Sequence, residues 1–173
     1  MWLKFFSKDK EKLTLAFMHM FQKNKFYAAM ENDKIIGITA CTDGKSSPVK
    51  LNKKELCRHL GIVMGTIAGI VLKREFENHP YPFEIIADTS SIEFVAVSPD
   101  YRRHGVAFEM INYIHKSEPY NNFVLEVADT NTTAMNLYKK IGYKEFMRIP
   151  GPNLKKSGFN FLVYMKYEKR EVK

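Results

Sequence analysis

Val95-Ala96-Val97-Ser98-Pro99-Asp100-Tyr101-Arg102-Arg103-His104-Gly105-Val106-Ala107 runs from the end of an apolar strand, through a short turn, into a helix that begins near Gly105. The first turn of a helix exposes unpaired N–H groups and the positive end of the helix dipole. Such a turn binds phosphate when nothing bulky blocks its backbone. Gly105 and the small Ala107 leave room for that approach, and Arg102 and Arg103 add cationic donors. These residues alone leave two readings open. One is an anion-binding turn; the other is an ordinary strand–helix junction with a surface pair of arginines.

The elements around this stretch set the fold class. Ile92 to Val97 is a strand, entered from Asp88-Thr89-Ser90. A helix follows from about Gly105 to Lys116, then a strand from Phe123 to Ala128, apolar apart from Glu126. Ala134, Leu137, Tyr138 and Ile141 fall at helical spacing, and Gly142 suits the position just past that helix. Strand–helix–strand implies a parallel pair with a right-handed crossover. Two last strands, Glu145 to Ile149 and Phe159 to Tyr167, flank a loop rich in Pro and Gly.

Upstream, Leu13, Ala16, Phe17, Met20 and Phe21 mark one face of a helix, with Ser7 as its expected cap. Phe26 to Met30 and Ile35 to Cys41 flank the polar turn Glu31-Asn32-Asp33-Lys34 and read as a hairpin. Residues 42–48 read as a loop. Residues 52–77 read as one helix with an apolar face of Leu56, Leu60, Val63, Met64, Ile67 and Val71, ended by Pro80 and Pro82. The expected fold is α+β: a mixed, mainly antiparallel central sheet with one parallel strand pair and flanking helices. No repeat, low-complexity tract or linker interrupts the chain, so one domain over residues 1–173 is expected.

Composition narrows the function classes. With 45% hydrophobic and 13% aromatic residues the chain can bury a core and is not of disordered type. Cys41 and Cys57 make no disulfide framework, and a reduced, cytoplasmic setting is the simpler expectation. The start, Met1-Trp2-Leu3-Lys4-Phe5-Phe6, is too short an apolar run for a secretion signal. The longest apolar run, Leu60 to Leu72, has 13 residues. A membrane helix needs roughly 20. Gly61, Gly65 and Gly69 recur within it at four-residue spacing, which suits a buried helix packed closely against the sheet. The net charge of +8 attracts anions, but the lysines are scattered and no nucleic-acid recognition motif is visible. Neither nucleic acid nor membrane is an expected partner. His19, His59, His79, His104 and His115 form no metal-ligand spacing with either cysteine, so each reads as a surface or packing histidine and no metal is expected. No serine or cysteine nucleophile motif points to a covalent acyl-enzyme.

Two segments together carry a resemblance. Arg102-x-x-Gly105-x-Ala107 resembles the acetyl-CoA signature of the GNAT (GCN5-related N-acetyltransferase) superfamily, Arg/Gln-x-x-Gly-x-Gly/Ala. Asn131-x-x-Ala134-x-x-Leu137-Tyr138-x-x-x-Gly142-Tyr143 is similar to that family's second segment, with Tyr143 in place of the usual Phe. One helix and one strand lie between them, as in the family. The specific likeness covers about residues 91–167; earlier only the element order is similar. Arg103 stands where the family often has Gly, and the helix over 52–77 reads as an insertion between its third and fourth strands, on the acceptor side.

The resemblance implies an acetyl-CoA-dependent N-acetyltransferase in which an amine attacks the thioester directly. Backbone groups of Val95 and Val97 would pair with the pantetheine arm, and one of their amides would serve the developing oxyanion. Amides of Arg103, His104, Gly105, Val106, Ala107 and Phe108 would cradle the pyrophosphate, with Arg102 beside them. Asn131 would contact the cofactor arm. Tyr138 is the candidate acid for the leaving thiolate, although it shares the apolar helix face and also reads as core. Glu93 is the candidate base. Alternation puts it on the face of Val95 and Val97 if no bulge intervenes, and Glu126 in the next strand is second choice. The acceptor, a small-molecule or peptide amine, carries no signature. The alternatives are a non-catalytic acyl-CoA-binding regulatory module and, from charge alone, a nucleic-acid binder. Many relatives are dimers, so a homodimer through the apolar central helix is one expected arrangement.

Overall fold

The computed structural model describes residues 5–77, 81–151 and 158–169. The expectations for Met1 to Lys4, His79, Pro80 and most of the loop before the last strand lie outside these residues. The chain divides into two compact units, Met1–Lys25 with Lys45–Phe83, and Phe26–Gly44 with Glu84–Lys173.

The first unit is helical. Helix α1 (Lys10–Phe17) buries Leu13, Ala16 and Phe17, and a 3-10 turn follows at Met18–Met20. Asp9, not Ser7, caps it. Asp9 sits in extended backbone immediately before the helix, and its carboxylate accepts from the amides of Glu11 at 2.9 Å and Lys12 at 3.1 Å. The Ser7 hydroxyl accepts instead from the Asp9 amide.

The single helix expected over 52–77 is two helices and a π turn. Asn52 caps α2 (Lys53–Leu60), Gly61 breaks the chain at φ 83° and ψ 162°, α3 (Ile62–Leu72) follows, and the π turn spans Lys73–Glu77. Helix α3 presents Gly65, Ala68 and Leu72 inward. A Cβ added at Gly65 would lie 2.4 Å from the Cys57 Cα, so the backbones of α2 and α3 nearly touch there. The small-residue stripe docks on α2. One expectation is overturned: Val63 and Ile67 of the expected buried face stand outside, with Val63 74% exposed. Close backbone approach, not side-chain bulk, selects the inner face.

The second unit is a six-stranded sheet covered by two helices. Its elements are β1 (Phe26–Glu31), β2 (Lys34–Thr42), β3 (Thr89–Val97), α4 (Val106–Ser117), β4 (Asn122–Ala128), α5 (Thr132–Ile141), β5 (Lys144–Pro150) and β6 (Phe161–Glu168). The strand order is β1-β2-β3-β4-β6-β5, and β3–β4 is the parallel pair in an otherwise antiparallel ladder. The mixed sheet is therefore as expected, and β1 and β2 precede the helical segment in the chain. Ile92, Ile111, Ile114, Phe123, Leu125, Val127, Tyr138, Tyr143, Val163 and Met165 form its buried core, which places α4 and α5 on one face of the sheet. No helix among the described residues is long and apolar enough to cross a membrane.

Candidate active site

Two departures from a regular sheet build the site. The first is the short parallel ladder. Strands β3 and β4 pair only at Thr89 with Asn122, Ser90 with Phe123 and Ser91 with Val124. Beyond Ser91 the strands part. β4 continues its ladder with β6 on its far side, and β3 continues with β2, so a gap opens between Ile92–Val97 and Leu125–Ala128.

The second is a bulge. Glu93 lies opposite Ala40, but Ala96 lies opposite Ile38, so two residues of β3, Phe94 and Val95, face one of β2. Phe94 takes a φ of 54°, a conformation a bulky side chain rarely adopts. The bulge reverses the alternation on which Glu93 was expected to join Val95 and Val97. Ala40 and Ile38 share a face, so Glu93 shares its face with Ala96, while Val97, opposite Gly37, lies on the other. Helix α4 covers that other face: a Cβ on Gly37 would lie 2.9 Å from the Val106 side chain. Glu93 therefore points away from α4 and α5.

The turn after β3 keeps its amides open. Pro99–Tyr101 forms one 3-10 turn, with Tyr101 N bonded to Ser98 O and Arg102 N to Pro99 O. Arg103 and Gly105 then adopt positive φ, 68° and 83°. The first helical bond is from Glu109 N to Gly105 O. Among the described residues the amides from Arg103 to Phe108 make no backbone hydrogen bond. Gly105 occupies the cap position of α4 with no side-chain bond, and a Cβ there would meet nothing within 4 Å. The space over this turn is open, and a run of amides without backbone bonds lies under it, an arrangement able to receive a polyanion. Arg102 helps to hold the turn, its Nε donating to the Val97 carbonyl at 3.3 Å. Arg103 and His104 are exposed. Lys140 of α5, which sequence reasoning passed over, lies 5.4 Å from the Phe108 ring and brings a further cation beside the turn.

The remaining predicted residues fall on either side of the gap. Asn131 is exposed and caps α5, its Oδ1 accepting from Ala134 N at 3.2 Å. Tyr138 is buried in the core beside Tyr143, and burial pushes its hydroxyl up to about 12. Glu126 shares the Glu93 face, since Ser91 pairs with Val124 and each glutamate is two residues further along its strand. It stands opposite Tyr164, whose hydroxyl bonds to it and is raised by burial and by that bond. Tyr138 and Glu93 thus lie on opposite faces of the sheet.

Sequence reasoning also missed Ser91 and Thr42. They face each other in the β2–β3 register, and both hydroxyls lie within reach of the Glu93 carboxylate. A Thr-Ser-Ser run at the head of a strand that is apolar thereafter except for Glu93 was the available signal.

Known proteins carry the same architecture. An N-acetyltransferase from Staphylococcus aureus Mu50 superposes with a TM-score of 0.58 at 17% identity, over 93% of this chain and 83% of that one. A GNAT family acetyltransferase from Elizabethkingia anophelis, with acetyl-CoA bound, gives 0.51 at 15% identity over 96% and 88%. The ribosomal-protein-S18-alanine N-acetyltransferase of Escherichia coli gives 0.53 at 14% over 88% and 76%. At these identities the likeness is one of fold. The sequence profile of the acetyltransferase (GNAT) family matches residues 1–143, and with this match over most of its length the chain belongs to that family.

Proposed function

We propose that this chain transfers the acetyl group of acetyl-CoA to a primary amine of a small molecule or peptide, by direct attack of the amine on the thioester. The observation that carries the proposal is the gap between β3 and β4 beside a turn of unbonded amides. The donor set fits the cofactor. A pyrophosphate suits the amides of Arg103 to Phe108, and an extended pantetheine arm suits the backbone of Val95 and Val97 along the open side of β3. An Elizabethkingia protein of this fold holds acetyl-CoA, and an Escherichia coli one acetylates an alanine of a ribosomal protein.

The two faces of the sheet divide the chemistry. An amine approaching on the Glu93 face gives its proton to that side, directly or through water. As the C–N bond forms and the C–S bond breaks, the leaving thiolate takes a proton from Tyr138 on the other face. A phenol raised to about 12 stays protonated at neutral pH and is available as that donor. An amide of β3, from Val95 at the bulge or from Val97 two residues beyond it, faces the developing oxyanion. Holding both reactants in the gap supplies proximity, which can lower a barrier by several kcal/mol.

The test is calorimetric titration with acetyl-CoA, then thiol release on the same sample against amines, polyamines, amino acids and peptides. Binding with release supports the transferase. Binding without release on any amine supports a regulatory acyl-CoA module instead, and no binding refutes the site.

A further inference from the structure

Resting on that reading of Glu93, we infer that Ser91 is a positioning residue for its carboxylate, at the end of a directed chain of hydrogen bonds that begins at the Gly44 amide.

The direction of the chain follows from counting protons. The Ser91 Oγ lies 2.7 Å from Glu93 Oε1, and an ionised carboxylate only accepts, so the serine donates. A hydroxyl has one proton to give. Toward Thr42 Oγ1, at 2.7 Å, Ser91 must therefore accept, and Thr42 donates. Thr42 lies 3.4 Å from the same carboxylate oxygen, a longer contact its one proton reaches less well. The oxygen of Thr42 in turn accepts from Gly44 N at 3.1 Å. Amide, threonine, serine and carboxylate form one line in which every donor points toward Glu93.

The setting makes this line costly to break. Ser91 is fully buried and Thr42 nearly so, at 0% and 6% exposure. Hydrogen bonds to a charged acceptor away from water are the strong ones, and bonds in series polarise one another. The register builds the pair, since Thr42 stands directly across from Ser91. The bulge at Phe94 begins one residue beyond Glu93, so the carboxylate is anchored where the strand changes course. A carboxylate gripped at this oxygen keeps a fixed direction toward an incoming amine.

Other ionisable groups of the sheet lie near Glu93. Cys41 of β2 is pushed up to about 11, mainly by burial, and the charge of Glu93 adds to the rise. Glu126 of β4, on the same face, is bonded by Tyr164. Helix α4, which carries His115 and Lys116, covers the opposite face.

The experiment follows the Glu93 carboxyl by carbon-13 NMR in the full chain as pH is varied, its resonance assigned by loss in Glu93→Gln. No acceptor is needed. Ser91→Ala removes the donor, so the midpoint is expected to move to higher pH; Thr42→Val moves it by less, and Ser91→Thr, which keeps a hydroxyl, restores it. An unchanged midpoint in Ser91→Ala overturns the inference, and so does an upward movement that Ser91→Thr fails to restore. If Ser91→Ala does not fold, Thr42→Val decides, and no movement there overturns it. Thiol release by Glu93→Gln, with acetyl-CoA and whichever amine the panel identifies, separates the two claims. Full activity removes Glu93 as base, whereas a moved midpoint upholds the hydrogen-bond chain on its own.

Discussion

The Nε2 of His115 lies 2.8 Å from the hydroxyl of Tyr143, and both side chains are buried in the core of the sheet unit. The imidazole also stacks on Tyr167 with ring centroids 4.0 Å apart. Burial, with a smaller contribution from Lys169, lowers its pKa to about 4, so it is neutral at physiological pH. In the unfolded chain it titrates near 6.5. The unfolded state therefore binds more protons between these values, and stability falls as pH drops from about 6.5 toward about 4. Denaturant titrations at pH 7 and pH 5 should show this loss. His115→Phe should be less stable at pH 7, with Tyr143 deprived of its partner, but should lose less on acidification than the wild type.

Gly105→Val should abolish acetyl-CoA binding. The site has room for a Cβ within the protein itself, so the effect comes from elsewhere. A β-branched residue resists the φ of 83°, and any side chain there stands over the open amides. Calorimetry reads the loss, and thermal unfolding checks that the fold survives. Binding at wild-type strength would remove the turn as phosphate cradle.

Tyr138→Phe keeps the ring in the core and removes only the hydroxyl. Cofactor affinity should hardly change. Thiol release, once an acceptor is known, should fall by about a hundredfold or more, the usual scale for losing a general acid. Full turnover would return Tyr138 to a packing role alone.

Gly65→Ala tests the helix pair. Its new methyl group would sit 2.4 Å from the Cys57 Cα, inside the backbone of α2, so the helices must separate. A loss of about 1–3 kcal/mol is the usual cost of such overpacking. Urea unfolding measures it. Gly69→Ala, whose methyl group would lie 3.7 Å from Leu56, is the tolerant control.

What could be read from the sequence follows from what each feature depends on. The Arg102-to-Ala107 turn and the Asn131-to-Tyr143 segment are local, so their residue types and spacing were enough to find the start of α4 at its open glycine and the end of α5 at Gly142. The hairpin at Asn32-Asp33 was legible for the same reason. The side of the sheet occupied by Glu93 was not, because it depends on a bulge that places Phe94 at positive φ, and nothing in Phe94 announces it. The inner face of α3 was misassigned because hydrophobicity cannot rank Gly65 above Val63; only the neighbouring helix does that. The partnership of Thr42 with Ser91 joins residues 49 apart in sequence and waits on the strand register.

The brevity of the β3–β4 ladder has a mechanical consequence. Among the described residues, three residue pairs at one end are the strand pairing that joins the β1-β2-β3 half of the sheet to the β4-β6-β5 half. Such a sheet resembles a book bound at one corner of its spine, whose two leaves are otherwise held by the core they share with α4 and α5. An extended molecule bonded to the inner margin of one leaf would act as a splint, and the stiffness of the whole sheet would rise and fall with its occupancy.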